Sequence, residues 1–168
     1  MNELNQISYP LIASTVILAI FIVTRFILKT QWRYTALLEG AVVLVFLIVF
    51  FVLRPGTGDE GGITDLAPVF DNDRPTLAEF FSNYCTSCLL LRPTFDQLAR
   101  DLQPEFNILR INIHSLNGRQ LRQQYNFSFT PEFILFDADG NEVWRDHALP
   151  TQAQLDLARK HTTSCTSC

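Results

Sequence analysis

All four cysteines of this 168-residue chain fall in two identical tetrapeptides, Cys85-Thr-Ser-Cys88 and Cys165-Thr-Ser-Cys168. The first lies between a predicted strand and a predicted helix, which puts Cys85 at a helix N-terminus. There the unpaired backbone N–H groups and the helix dipole stabilise a thiolate. Cys88, one turn further on, can close a small disulfide with Cys85. A thiolate so placed attacks a substrate disulfide, and the second thiol resolves the mixed intermediate. A structural disulfide and half of a metal site are the alternatives for this pair.

A second feature points the same way. Thr130-Pro131 opens the predicted strand Glu132–Phe136, and a proline there is best explained by a cis peptide at a strand start. A proline at a strand edge is often unremarkable. Downstream of strand, Cys-x-x-Cys and helix, it carries more weight.

The elements that must position these residues follow from periodicity and turn signals. Thr76–Phe81 reads as a short strand. Ser87–Leu102 has apolar residues at Leu91, Phe95, Leu98, Ala99 and Leu102, which is helical spacing, with Pro93 as a kink. Asn107–Ile113 alternates as a strand, and Arg119–Tyr125 reads as a short helix. Glu132–Phe136 and Glu142–Trp144 flank Asp137-Ala-Asp-Gly-Asn141, a hairpin signal. Thr151-Gln-Ala-Gln154 has the capping-box pattern and opens a last helix to about His161. The order β-α-β-α-β-β-α predicts an α/β fold, a mixed sheet with helices on both faces.

Composition divides the chain. Overall it is 48% apolar, with a mean hydropathy of +0.13. Residues 1–53 hold 36 apolar residues and five charges, Glu3, Arg25, Lys29, Arg33 and Glu39. The remainder is a polar globule with 10 Lys and Arg against 15 Asp and Glu. This pattern excludes a fully soluble chain, a large polytopic channel and intrinsic disorder. An acidic globule with no basic run also lacks the electrostatic footprint of a nucleic-acid binder.

Two apolar runs, about 7–28 and 36–53, are each long enough to span a bilayer, so residues 1–53 read as a two-helix transmembrane hairpin. A signal peptide fits poorly, because the start, Met-Asn-Glu, has no basic region and no small-x-small cleavage site follows. Arg25, Lys29 and Arg33 cluster around the loop Lys29–Tyr34. The positive-inside rule places that loop in the cytoplasm and both termini across the membrane. Trp32 and Tyr34 suit the interfacial belt. Residues 54–67 read as a flexible, acidic, Gly-rich linker, 68–161 as the globular domain and 162–168 as a tail.

Residues 76–160 resemble the thioredoxin family. The segment Leu77-Ala-Glu-Phe-Phe-Ser-Asn-Tyr-Cys-Thr-Ser-Cys88 stands where that family has an apolar strand, an acid, an aromatic and Cys-x-x-Cys. Pro93 matches its helix-kinking proline, Arg110-Ile-Asn-Ile113 its central strand, and Phe129-Thr-Pro-Glu-Phe-Ile-Leu-Phe136 its cis-proline strand. The resemblance implies a thioredoxin-like fold, with Cys85 as nucleophile and Cys88 as resolving thiol. It implies that Tyr84, Thr130 and Pro131 receive substrate, and that Glu79 is the buried acid that accepts the Cys88 proton. Arg110 falls where the family often has a lysine and could pair with Glu79; that pair could equally be structural. With its anchor, the chain looks most like the tethered thioredoxin-like proteins of periplasm and thylakoid lumen. Those reduce disulfides of exported proteins, including apocytochromes c. The implied partners are disulfide-containing clients, a transmembrane thiol carrier as electron donor, and the lipid bilayer. The implied location is the periplasmic or lumenal face of a plasma or thylakoid membrane. No cofactor or metal is required.

Departures from the family pattern bear on direction. Thr86-Ser87 replaces the common Gly-Pro, Leu89 stands where a lysine often follows, and Tyr84 replaces a tryptophan. The residues between the cysteines tune thiol acidity. The resemblance favours reduction of clients, with a disulfide-forming oxidant, or a non-catalytic binding or assembly module whose terminal Cys-x-x-Cys holds metal or client, as the alternatives. Only residues 61–75 are available for the family's first strand and helix, which read as truncated.

The terminal pair Cys165/Cys168 has no counterpart in the family. It reads as a mobile redox relay for Cys85/Cys88, or as an inert tail. His161, Cys165 and Cys168 also have metal-ligand spacing, but they supply three ligands where structural zinc takes four. A prenylation box fails, because Thr-Ser is not an aliphatic pair. His114, at a strand end, and His147, past the hairpin, read as surface residues.

Overall fold

A computed structural model of the chain describes residues 6–27, 29, 31–54, 56, 58, 73–127 and 129–163, the last three of these by backbone alone. The first helix, α1 (Ser8–Ile22), runs on into a π-helical turn at Val23–Ile27, and α2 spans Trp32–Leu53. Both are long and apolar enough to cross a membrane. They pack against each other through Tyr9, whose hydroxyl donates to the Phe46 carbonyl and whose ring meets Phe46 and Phe50. Phe26, Leu37 and Val52 are about two-thirds exposed. Apolar surface on that scale, continuous along both helices, suits a bilayer and not the core of a soluble domain.

The second span starts four residues earlier than the apolar run predicts. Tyr34 and Thr35 donate their N–H groups to the Gln31 carbonyl, so Trp32, Arg33 and Tyr34 form its first turn instead of a loop. Apolarity marks the part of a helix that sits in hydrocarbon, and the helix itself continues into the interface.

The globular part consists of β1 (Thr76–Phe81), α3 (Thr86–Leu102), β2 (Asn107–Asn112), α4 (Leu116–Gln124), β3 (Glu132–Phe136), β4 (Glu142–Asp146) and α5 (Gln152–Thr163). The sheet order is β2-β1-β3-β4. Strands β1 and β2 are parallel, joined through α3, whereas β3 runs antiparallel to both β1 and β4. The mixed sheet with helices on both faces is as predicted. Pro93 lies inside α3. Half of the capping box of α5 forms: the N–H and the hydroxyl of Thr151 both donate to Gln154 Oε1, while the Gln154 N–H donates to the Thr151 carbonyl.

Helix α3 starts at Thr86, one residue before the predicted Ser87, and α4 ends at Gln124, one short of Tyr125; three further boundaries move. Strand β4 continues to Asp146 instead of ending at Trp144, because its pairing with β3 extends to Phe133↔Asp146. Strand β2 ends at Asn112, one residue short of the alternating pattern. Helix α4 starts at Leu116 rather than Arg119. Its N-cap is Ser115, whose hydroxyl accepts from Gly118 N at 2.8 Å. A Cβ on Gly118 would sit 1.9 Å from the Asn112 carbonyl oxygen, so only glycine lets the helix start so close to β2. The expected linker over 59–67, the truncated first elements up to residue 72 and the tail from 164 lie outside the described residues.

Central strand β1 is buried along its whole length, and its two sides carry different cores. Ala78 and Phe80 join Leu109, Ile111, Ile113, Leu121, Ile134 and Phe136 beneath α4. Leu77 joins Phe95, Leu102, Phe133, Leu135 and Leu155 beneath α3 and α5. Glu79 projects into that second side.

Candidate active site

Cys85 is the N-cap of α3, with extended backbone (φ −89°, ψ 120°), as the strand-to-helix placement predicts. Its Sγ accepts from the Cys88 N–H at 3.3 Å, which satisfies one of the orphan amides of the helix start. The Ser87 hydroxyl lies 3.7 Å from the same sulfur, and the Thr130 carbonyl lies 3.5 Å from it. Both cysteines are free thiols and fully buried.

These surroundings split two chemically identical groups. Cys85 is lowered to about 6, chiefly by the hydrogen bond from the Cys88 side chain. Burial opposes this, and bonds from Thr130, the Cys88 backbone and Ser87 assist it. Cys88 is pushed far upward, first by burial, then by its bond to Cys85 and the Cys85 charge, with the charge of Glu79 adding to it. Near neutrality the first sulfur is a thiolate and the second a thiol.

Glu79 is buried beneath this pair. The parallel register sets it opposite Arg110, whose Nε donates to Glu79 Oε2 at 2.9 Å. Arg110 also reaches Asp96 on α3 at 3.1 Å, and its guanidinium lies over the rings of Phe81 and Phe95. The pairing raised by the sequence therefore forms, and a helix carboxylate extends it.

The Thr130–Pro131 peptide is cis. It brings the Thr130 carbonyl to Cys85, although the two residues are 45 positions apart. Behind it, His147 stacks on Phe129 with ring centroids 3.6 Å apart and donates from Nδ1 to the Pro131 carbonyl. His147 is thus half-buried support for the cis-proline loop and not a plain surface residue. The hairpin return explains this, since β4 carries the chain back beside the start of β3.

His114 is exposed, as expected, but it also belongs to the site. Its Nε2 is 2.9 Å from Ser82 Oγ, and its ring meets Tyr84 edge-on. Burial of the ring, with Arg122 and Arg119 nearby, holds its pKa below the ordinary value. Its position at the end of the strand beside β1 was the available signal. Ser87 was legible only as a departure from a family pattern, whereas its role beside Cys85 needed the helix geometry.

Tyr84 is 46% exposed, but one face is taken. Its ring stacks on Phe50 of α2 at 6.0 Å, and its carbonyl accepts from the Tyr9 N–H of α1. The apolar helical hairpin is therefore in contact with the site, which no periodicity could reveal. Cys165 and Cys168 lie outside the described residues, so no relation to Cys85 emerges.

Comparison with known proteins agrees with this geometry. The thioredoxin family model matches residues 66–156, more than half of the chain. A thioredoxin from Chlamydia trachomatis is 37% identical over 86 residues, covering 51% of this chain and 80% of its own. A thiol:disulfide interchange protein TxlA homolog from Synechocystis is 30% identical over 78 residues, 46% of this chain and 43% of its own length. The chloroplastic thioredoxin-like protein HCF164 of Arabidopsis thaliana is 25% identical over 71 residues, 42% of this chain and 27% of its own. The chain thus spans about half or less of the length of these last two relatives.

Proposed function

The chain belongs to the thioredoxin family; from that premise we propose that it is a thiol–disulfide oxidoreductase that works as a membrane-tethered reductant of disulfides in exported client proteins. The observation that carries this reading is the split between the two thiols: Cys85 at about 6, Cys88 held protonated.

The chemistry follows from that split. The Cys85 thiolate attacks one sulfur of a client disulfide, forming a Cys85–client bond and expelling the other client sulfur as a thiolate. Cys88 then loses its proton to Glu79 and attacks Cys85 Sγ. The second client thiol leaves, and a Cys85–Cys88 disulfide remains. Two electrons have passed to the client, which ends as a dithiol. In this scheme Tyr84, Thr130 and Pro131 line the approach to Cys85. Proton loss from Cys88 becomes favourable only once the Cys85 charge is consumed in the mixed disulfide, which orders the two steps.

The site starts the next cycle only when an external dithiol reduces the Cys85–Cys88 bond. Outside the cytoplasm, a transmembrane thiol carrier is the donor that fits. The basic cluster Arg25, Lys29 and Arg33 favours the cytoplasmic side for the short loop and the opposite side for the domain. The names of the Synechocystis TxlA homolog, a thiol:disulfide interchange protein, and of the chloroplastic thioredoxin-like protein HCF164 support thiol–disulfide interchange as the activity. Apocytochromes c are a client class consistent with a domain outside the cytoplasm.

Replacing Cys88 with serine tests the mechanism. The variant, in membranes, is expected to accumulate client adducts through Cys85 that run as larger species on non-reducing gels and vanish with dithiothreitol. Absence of adducts, together with no insulin reduction by the unmodified chain supplied with a dithiol donor, would overturn it.

A further inference from the structure

A nucleophile that reacts with protein disulfides has to meet them, yet Cys85 has no exposed surface. The chain on either side of it is held by the start of the anchor. Ser8 Oγ accepts from the Thr86 N–H at 3.0 Å and donates to Thr86 Oγ1 at 3.2 Å. The Tyr9 N–H donates to the Tyr84 carbonyl at 2.9 Å. Ser82 Oγ donates to the Gln6 carbonyl at 2.8 Å. These four bonds engage residues 82, 84 and 86, and so bracket the nucleophile in sequence.

Two of the groups engaged are main-chain groups next to Cys85. The Thr86 N–H is one of the orphan amides at the start of α3, and a serine hydroxyl from 78 residues away satisfies it. The far end of the anchor grips the same loop. Asn83 exchanges two hydrogen bonds with the Gly56 backbone, and Arg92 Nη1 donates to the carbonyls of Val52 and Arg54. Phe50 covers one face of Tyr84.

We infer that the turn Gln6–Tyr9 is an intramolecular cap over the Cys85 site, which a client must displace before exchange begins. The inference rests on the oxidoreductase reading and adds a gate to it. The cap is built for release: it is made of four hydrogen bonds among hydroxyls and backbone groups, all of which a client chain or water can replace. No disulfide or ion pair involving Gln6–Tyr9 holds it among the described residues. Closed, it keeps a thiolate out of reach of stray oxidants. Open, it gives Tyr84 and Thr86 back to an incoming polypeptide, at the surface of the bilayer where α2 ends.

The test uses the full chain in lipid nanodiscs, reduced, with modification at Cys85 followed by peptide mass mapping. The probes are iodoacetamide and a maleimide on a 5 kDa polyethylene glycol. Ser8→Ala removes both Ser8 bonds and is expected to raise the Cys85 rate roughly three- to tenfold, most for the bulky probe. Ser8→Thr keeps the hydroxyl and is expected to stay near the rate of the unmodified chain. Equal rates for the parent chain and Ser8→Ala, with unchanged circular dichroism, would overturn the cap. So would a rise that Ser8→Thr shares. Insulin reduction is scored separately: Ser8-dependent alkylation without any disulfide reduction would leave the cap standing and remove the catalytic reading.

Discussion

The two sides of strand β1 are built from neighbouring residues and differ in what they serve. Under α4, Ala78 and Phe80 join an apolar cluster, bordered by a buried Glu132 that stands opposite Phe80 and pairs with Arg145. Under α3, Glu79 stands among aromatic rings, paired with Arg110 and backed by Asp96. Removing a carboxylate from water is costly, and ion pairing seldom does more than offset that cost. A sheet selected for stability alone would carry two apolar sides. Both sides therefore carry one buried carboxylate–arginine pair, but only on the α3 side does the carboxylate's charge act on a thiol, Glu79 on Cys88; the α4 side reads as scaffold and the α3 side as the part that serves thiol chemistry.

Three substitutions probe that contrast. Phe80→Ala empties a fully buried ring from the scaffold side, and should cost about 3–5 kcal/mol in urea unfolding. The folded fraction should keep its Cys85 titration near pH 6. A shift in that titration would show that the two sides are coupled. Glu79→Gln should do the reverse. It is close to isosteric and leaves Arg110 its Asp96 partner, so unfolding should move by about 1 kcal/mol or less. Resolution of a preformed Cys85 mixed disulfide should slow by roughly ten- to a hundredfold, the lower range for a lost general base. An unchanged resolution rate would make the Glu79–Arg110 pair structural.

The smallest effect belongs to Ser87→Ala. The Ser87 bond is the weakest of those lowering Cys85, so its loss should raise the titration midpoint by roughly half a unit. The sign is read from alkylation rate against pH. A thiolate with a midpoint near 6 reacts at full rate above about pH 7 and loses reactivity as pH falls through 6. Ser87→Ala should move that fall to higher pH without changing the plateau. A midpoint in the parent chain near the ordinary 8.5 would remove the split on which the mechanism depends.

Much of this arrangement was legible before any coordinates. Thr76–Phe81 and Glu132–Phe136 are short apolar runs bounded by strong turn signals, and both form over those residues. Pro131 and the Cys85–Cys88 spacing carry their own geometry. Helix α4 was harder, since Leu116 and Leu121 are the only apolar residues in nine and the start depends on Gly118 fitting against Asn112. The opening of α2 was hidden because interfacial residues break the apolar run without breaking the helix. His114, His147 and Phe50 reach the site through strand register, hairpin return and helix docking, none of which leaves a local trace.

What the chain determines by itself is the reagent: two thiols one turn apart at a helix start, an acid on the adjoining strand, a proline ahead of another, and an apolar hairpin in front. Each of these depends on backbone preferences within a few residues. The tertiary structure decides how far the acidities of the two thiols separate and whether the nucleophile can be reached. Thiol acidity is set by groups within a few ångströms, and here those include the Thr130 side chain, while Ser8 and Tyr9 bond to the residues on either side of Cys85. Proximity between residues 45 and 78 positions apart exists only after folding.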